Sequence, residues 1–283
     1  MVEVPQARTV AGAAGLAALL AEPARAVVAL DFDGTLAPIV DDPEQARAHP
    51  GAVPALARLA RYVDSIAVVT GRPAAVAASY GGFAEAGGLS RLVVLGHYGR
   101  ERWESDRREV VSPPLPAEVA RGLAAVRAGL PALLADLDLP AGVAVEDKGD
   151  AVAVHTRRSA DPAGALVVLR EPLAALAARH GLAVEPGRYV LELRPPGMDK
   201  GAALSAYVAE RAADAVLFAG DDLGDLAAYD AVEAMRERGI PGVTVCAGSA
   251  EAGEVARRAD LVVDGPAGVV DLLTALADAL DSE

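Results

Sequence analysis

Short apolar runs bounded by turn residues recur at 26–30, 64–69 and 92–95, and again at 215–219, 243–246 and 261–263. None shows the strict alternation of a strand with one wet face, so they predict parallel strands covered on both sides. Helical spacing at 51–61 and 200–212, and an Ala/Leu-rich stretch at 10–21, predict helices to cover them. A polar, proline-containing stretch at 101–116 breaks this rhythm. Beyond it the pattern becomes helix (117–135), strands (143–146 and 151–155), helix (162–180) and strands (183–185 and 189–193), that of a small α+β domain. The expected fold is therefore α/β. A doubly wound, Rossmann-like parallel-sheet core is formed by residues 1–111 and 198–283, and an α+β domain is inserted at 112–197.

Composition narrows the class of partner. With 53% hydrophobic and 23% charged residues in 283, the chain reads as a globular enzyme rather than a disordered segment. A formal net charge of −14 argues against a nucleic-acid partner, which requires a basic face. An anionic substrate must then be met by a metal ion or by particular Lys and Arg side chains. No apolar run is long enough to span a bilayer, so no membrane partner is expected. Residues 10–21 have the length of a signal-peptide core but follow Glu3 and a single basic residue, Arg8. They are read as a helix, with a cytoplasmic location as the default expectation. Cys246 lies within Val-Thr-Val-Cys-Ala, the setting of a buried core thiol.

Chemistry enters where apolar runs stop. Residues 26–36 read Ala-Val-Val-Ala-Leu-Asp-Phe-Asp-Gly-Thr-Leu, with Asp31 and Asp33 at the carboxyl end of the first strand. Burying two carboxylates that repel one another is costly unless a cation or a reaction uses them. In open α/β sheets that position is where ligands collect. Gly34 permits a tight turn whose N–H groups can face an anion, and Thr35 adds a hydroxyl. Oxygen ligands at this spacing suit Mg²⁺; an EF-hand loop would need Gly where Leu36 stands. A second apolar run ends in Gly220-Asp221-Asp222, with Asp225 one turn on. Thr70-Gly71-Arg72 closes another strand, and Lys200 opens an Ala-rich helix, where its charge opposes the helix dipole unless an anion is near.

In chain order, Asp-x-Asp-Gly-Thr, Thr-Gly-Arg, Lys-Gly and Gly-Asp-Asp resemble the four motifs of the haloacid dehalogenase superfamily. That resemblance implies Asp31 as the nucleophile, Asp33 as general acid/base, and Thr70 and Lys200 as phosphate holders. It further implies a Mg²⁺ site made of Asp31, the Asp33 backbone carbonyl and Asp221. Asp33, crowded by acids, is expected to carry the proton that the leaving oxygen needs. Segments around Gly96-His97-Tyr98-Gly99-Arg100-Glu101, Val145-Glu146-Asp147-Lys148, Val154-His155-Thr156-Arg157 and Glu192-Leu193-Arg194-Pro195-Pro196-Gly197 resemble trehalose-6-phosphate phosphatases. The implied substrate-binding residues are Gly34, Thr70, Gly71, Arg72, Lys200, Glu101, Glu146, Lys148 and Arg194, with Glu146 and Lys148 on sugar hydroxyls. The expected activity is Mg²⁺-dependent hydrolysis of trehalose 6-phosphate through an aspartyl-phosphate, with a synthase of the same pathway as a further implied partner. The alternatives are another glycosyl phosphate, of sucrose, glucosylglycerol or mannosylglycerate type, or a non-catalytic sugar-phosphate sensor. Closure of the inserted domain is expected to complete the sugar site. Two departures stand out: Gly224 and Leu226 replace the family's usual Thr and Glu, and His97-Tyr98 replaces the commoner Asn-His or Leu-His.

Overall fold

The structure is a computed structural model that describes residues 4–187, 189–248 and 253–282. The outermost bounds of the expected core, residues 1–3 and 283, lie outside the described residues. The chain divides into two compact units, Pro113–Met198 and the remainder.

In the larger unit the chain runs α1 (Val10–Ala21), β1 (Ala26–Leu30), α2 (Ala52–Leu59), β2 (Ser65–Val69), α3 (Ala74–Tyr80), β3 (Leu92–Gly96), β4 (Glu101–Glu104) and β5 (Val110–Val111). The smaller unit contributes α4 (Ala117–Ala135), β6 (Ala144–Asp147), β7 (Val152–His155), α5 (Pro162–Arg179), β8 (Ala183–Gly187) and β9 (Val190–Arg194). The larger unit resumes with α6 (Lys200–Arg211), β10 (Ala215–Gly220), α7 (Leu226–Glu237), β11 (Gly242–Gly248), α8 (Gly253–Arg258), β12 (Leu261–Asp264) and α9 (Gly265–Asp281).

The eight-stranded sheet has the order β12-β11-β10-β1-β2-β3-β4-β5. Pairing is parallel from β12 to β3 and antiparallel from β3 to β5. Strand order reverses between β1 and β10, the switch point where a doubly wound sheet opens a crevice at its carboxyl edge. Alternate residues of β1 feed opposite faces. Val28 and Leu30 pack with Leu16, Leu19, Leu56, Leu59 and Leu276 of α1, α2 and α9. Val27 and Ala29 join Leu204, Val208, Val232 and Met235 of α6 and α7. Both faces are dry, which explains why these strands read as unbroken apolar runs.

The antiparallel β4–β5 hairpin was not expected within the polar stretch 101–116. Trp103 is 4% exposed and buries one face of β4 in the core, while Arg102 and Glu104 alternate with it and Glu101 opens the strand. One inward aromatic among acids and an arginine makes a strand whose composition reads as loop. Helices α3, α7, α8 and α9 were likewise not anticipated, and β11 runs beyond the expected 243–246.

In the smaller unit, β6-β7-β9-β8 form an antiparallel sheet. Val152, Val154, Leu191 and Leu193 pack with Leu123, Val126, Leu130, Leu169, Leu173 and Leu176 of α4 and α5. The intervening residues of the strands therefore occupy the sheet's other face.

Candidate active site

The β1–β10 ladder continues one residue past the strand, where Asp31 N donates to the Ala219 carbonyl at 2.8 Å. That bond carries Asp31 to the switch point beside Gly220 and Asp221. Asp31 is 4% exposed and Asp221 6%. Lys200, the first residue of α6, reaches the same place because Asp199 caps that helix, accepting from Ala202 N at 2.7 Å. Its Nζ lies 2.7 Å from Asp31 Oδ1 and 2.8 Å from Asp225 Oδ1. Asp225 Oδ2 accepts from the backbone N–H groups of Asp221 and Asp222 at 2.9 and 3.2 Å. Asp225 thus ties the end of β10 to the start of α6. Sequence reading noticed this acid but assigned it no task.

Electrostatics make this cluster incomplete by itself. Asp31, Asp221 and Asp225 bring carboxylate oxygens within 4.8 Å of one another, all buried. Ionised together, these three carboxylates against the Lys200 ammonium would leave two excess negative charges. Burial holds the Asp31 carboxyl well above the usual range; Lys200 opposes the rise, and Asp225 and Asp221 add to it. Burial, Asp222 and Asp225 push Asp221 up to about 8. Lys200 stays firmly protonated, since Asp225 and Asp31 overcome the burial that works against its charge.

A divalent cation would cancel that excess, and the local shape suits one. Asp221 Oδ1 is buried with no hydrogen-bond partner. Gly34, at φ +83°, lies so close that a β-carbon there would fall onto the Asp221 carboxylate. The donors are all oxygen, the preference of a hard cation. Asp31 and Asp221 are the side chains positioned to hold it, because both oxygens of Asp225 are already engaged.

The second aspartate faces elsewhere. Asp33 accepts from Arg72 Nε and Nη2 at 2.6 and 2.7 Å, so its carboxylate confronts a guanidinium rather than the acid cluster expected to crowd it. Its part in a metal site would rest on the backbone carbonyl. Arg72, expected at the phosphate, has this carboxylate as its partner. Thr70 is buried at the end of β2, where its Oγ1 accepts from Arg72 N at 3.1 Å and its carbonyl accepts from Tyr98 N at 3.0 Å. Gly71 lies close to the same loop, and a β-carbon there would stand 2.7 Å from the Tyr98 hydroxyl, which would have to shift. Thr35 is wholly buried and its Oγ1 has no partner. Glu101, expected to bind substrate, accepts from Ala74 N at 2.7 Å at the start of α3.

The other expected residues lie in the smaller unit. Register pairs Glu146 with Ala153, Ala153 with Glu192, and Glu192 with Glu185, a row across the sheet on the face away from α4 and α5. Glu146 contacts His155 Nε2 at 2.8 Å, and Lys148 Nζ donates to Glu192 at 2.6 Å. Arg194 lies 3.6 Å from both Glu192 and Glu185. Glu192, 6% exposed, was missed as a candidate. Its sign in the sequence is a charge flanked by core leucines 191 and 193.

Comparison with known proteins gives the family. A model of the Trehalose-phosphatase family matches residues 29–266. A trehalose-phosphate phosphatase of Mycobacterium marinum is 33% identical over 269 residues, covering 91% of this chain and 63% of that protein. One from Mycobacterium avium is 34% identical over 262 residues, covering 90% and 62%. The chain thus spans less than two thirds of the length of these relatives. The structure of the C. albicans trehalose-6-phosphate phosphatase C-terminal domain superposes with a TM-score of 0.72 at 21% identity, covering 93% of this chain and 95% of that one. Among the described residues no helix is long and apolar enough to cross a membrane. With the family match extending from β1 to α9 through every acid of the cluster, the chain belongs to the trehalose-phosphatase family.

Proposed function

We propose that this chain hydrolyses trehalose 6-phosphate to trehalose and phosphate, with Mg²⁺ as cofactor and Asp31 as nucleophile. The observation that carries the reading is the buried Asp31–Lys200–Asp225 chain, 2.7 and 2.8 Å in its two links, beside the unpartnered Asp221 Oδ1. A carboxylate nucleophile and a phosphate dianion repel each other, and this reaction is among the slowest uncatalysed ones. Lys200 offsets that repulsion at the attacking oxygen and at the phosphoryl group. Asp31, Asp221 and the Asp33 carbonyl would hold Mg²⁺, which would supply the remaining neutralisation of the phosphate.

The chain's own groups then perform two displacements. An Asp31 carboxylate oxygen forms a bond to phosphorus as the bond from phosphorus to the sugar oxygen breaks; Asp33, a carboxylate in its pairing with Arg72, gives that oxygen a proton it has first taken up from solvent. Asp33, now a carboxylate, takes a proton from water, whose oxygen bonds to phosphorus and releases Asp31 and inorganic phosphate. Gly34, Thr70 and Gly71 shape the loops around the phosphoryl group, and Glu101 holds the start of α3 behind them. Glu146, Lys148 and Arg194 of the inserted domain, together with Glu192, offer acceptors and donors suited to a polyol. The same proposal places the chain in the cytoplasm with a synthase supplying its sugar phosphate.

The test is phosphate release by the purified chain and its Asp31→Asn variant, measured with Mg²⁺ on trehalose 6-phosphate and on other disaccharide and glycosyl phosphates. Trehalose 6-phosphate is expected to be the preferred substrate, and Asp31→Asn to be inactive. Faster release from another glycosyl phosphate would refute the sugar assignment, and unchanged turnover by Asp31→Asn would refute the covalent route.

A further inference from the structure

We infer that Arg72 is the positioning residue for Asp33 and not a ligand of the phosphate, with Tyr80 as the plate that holds its guanidinium in place. The inference rests on the phosphatase reading above. Nε and Nη2 of Arg72 meet Oδ2 and Oδ1 of Asp33 at 2.6 and 2.7 Å, a fork-on-fork pairing that sets the plane of the carboxylate as well as its distance. The guanidinium carbon lies 5.3 Å from the Tyr80 ring centre and 5.8 Å from that of Phe32. Arg47 stacks on the same Tyr80 ring at 4.3 Å. Phe32 is the residue between the two catalytic aspartates, so Arg72 grasps that segment by ring and carboxylate together.

The backbone of Arg72 is pinned as firmly as its side chain. Its N–H donates to Thr70 Oγ1 at 3.1 Å, and its carbonyl accepts from His97 N at 2.9 Å. The side chain is 17% exposed, against 36% for Asp33. An arginine serving phosphate would present its fork to the ligand; here Nε and Nη2 are both committed to a protein carboxylate, and Lys200 already supplies positive charge at Asp31. Asp33 needs such a hold. It follows the strand end and precedes Gly34 at φ +83°, so its half-exposed side chain lacks the packing that fixes Asp31. A proton carrier that wanders loses the geometry on which its rate depends.

The experiment uses the full chain with Arg72→Gln, Arg72→Lys, Asp33→Asn and the Arg72→Gln/Asp33→Asn double variant. Steady-state kinetics on trehalose 6-phosphate and 4-nitrophenyl phosphate are combined with calorimetric binding of inorganic phosphate in the presence of Mg²⁺. Arg72→Gln and Arg72→Lys are each expected to lower kcat for the sugar phosphate about 10- to 100-fold. KM and phosphate affinity should stay within about twofold, because the residue acts through another. On the Asp33→Asn background, Arg72→Gln should remove nothing further from 4-nitrophenyl phosphate turnover. Tyr80→Phe, which keeps the ring, should match the wild type, and Tyr80→Ala should lose kcat in the same direction as Arg72→Gln. A phosphate affinity that drops about tenfold or more in Arg72→Gln and returns in Arg72→Lys would overturn the inference, as would losses that multiply in the double variant. If Arg72→Gln fails to fold, Arg72→Lys and the Tyr80 pair decide the matter. A wild-type chain that turns over neither substrate refutes the phosphatase reading instead, and calorimetry still reports whether Arg72 contributes to phosphate binding.

Discussion

Replacing Asp221 with Asn is expected to stabilise the metal-free protein by an amount that grows with pH. Asp221 is 6% exposed, and burial with Asp222 and Asp225 pushes its carboxyl from 3.8 to about 8. A carboxyl raised in the folded state keeps a proton that the unfolded chain has already released. The folded state therefore binds more protons across that window, and stability falls as pH rises from about 4 to about 8. At about 1.4 kcal/mol per pH unit, the loss is bounded near 6 kcal/mol, roughly 4 of it by pH 7. Asp31 and Asp225 share the same space, so removing one charge lets its neighbours ionise more readily. The variant should recover only part of the bound, about 2–3 kcal/mol near pH 8 and little near pH 4. Urea unfolding in a chelator, at about pH 5 and about pH 8, measures it. Trp103, the only tryptophan in the chain and 4% exposed in the core, reports the transition by fluorescence. Saturating Mg²⁺ should narrow that difference, since it stabilises the wild type by roughly 2.7 kcal/mol at a hundredfold excess over Kd and the variant by less. A variant no more stable than the wild type at the higher pH, or a gain equal at both, would refute the reasoning.

Lys200→Met should lower stability by about 3–5 kcal/mol, because Asp31 and Asp225 would lose the ammonium that pairs with both, and thermal unfolding near neutral pH measures it. Gly34→Ala should abolish calorimetrically detected Mg²⁺ binding, since the new methyl meets the Asp221 carboxylate. The left-handed backbone at φ +83° adds a strain of about 1–2 kcal/mol, so its melting temperature should fall too.

Parallel strands were legible because both their faces are dry, and the acids at their ends stood out against apolar neighbours. Asp31 and Asp221 required no knowledge of side-chain direction: each follows a strand, and Leu30 pairs with Ala219 in the register that brings those ends together. The hairpin β4–β5 was illegible for the converse reason, since Trp103 alone represents the core among three charged neighbours. Partner choice was harder still. Glu101 was expected at the substrate, because its engagement with Ala74 N depends on a turn of the chain between β3 and β4.

Arg72 and Lys200 show where such reading stops. Both are cations beside a glycine, near the end of one strand or the start of a helix, and by composition either could meet a phosphate. The fold gives them different acids. Lys200 enters from α6, opposite the end of β1, and its short ammonium fits between Asp31 and Asp225. Arg72 leaves the end of β2, the neighbouring strand, and its planar fork reaches across to the turn that follows β1. An ammonium is a point charge suited to a site where an oxygen attacks phosphorus, whereas a guanidinium holds a plane. Asp31 and Asp33, the proposed nucleophile and proton carrier, two residues apart in sequence, are thus held by two cations of different shape, one from a helix and one from the end of the neighbouring strand. A chain that exchanged them, with Arg at 200 and Lys at 72, would keep its net charge of −14 and lose both fits.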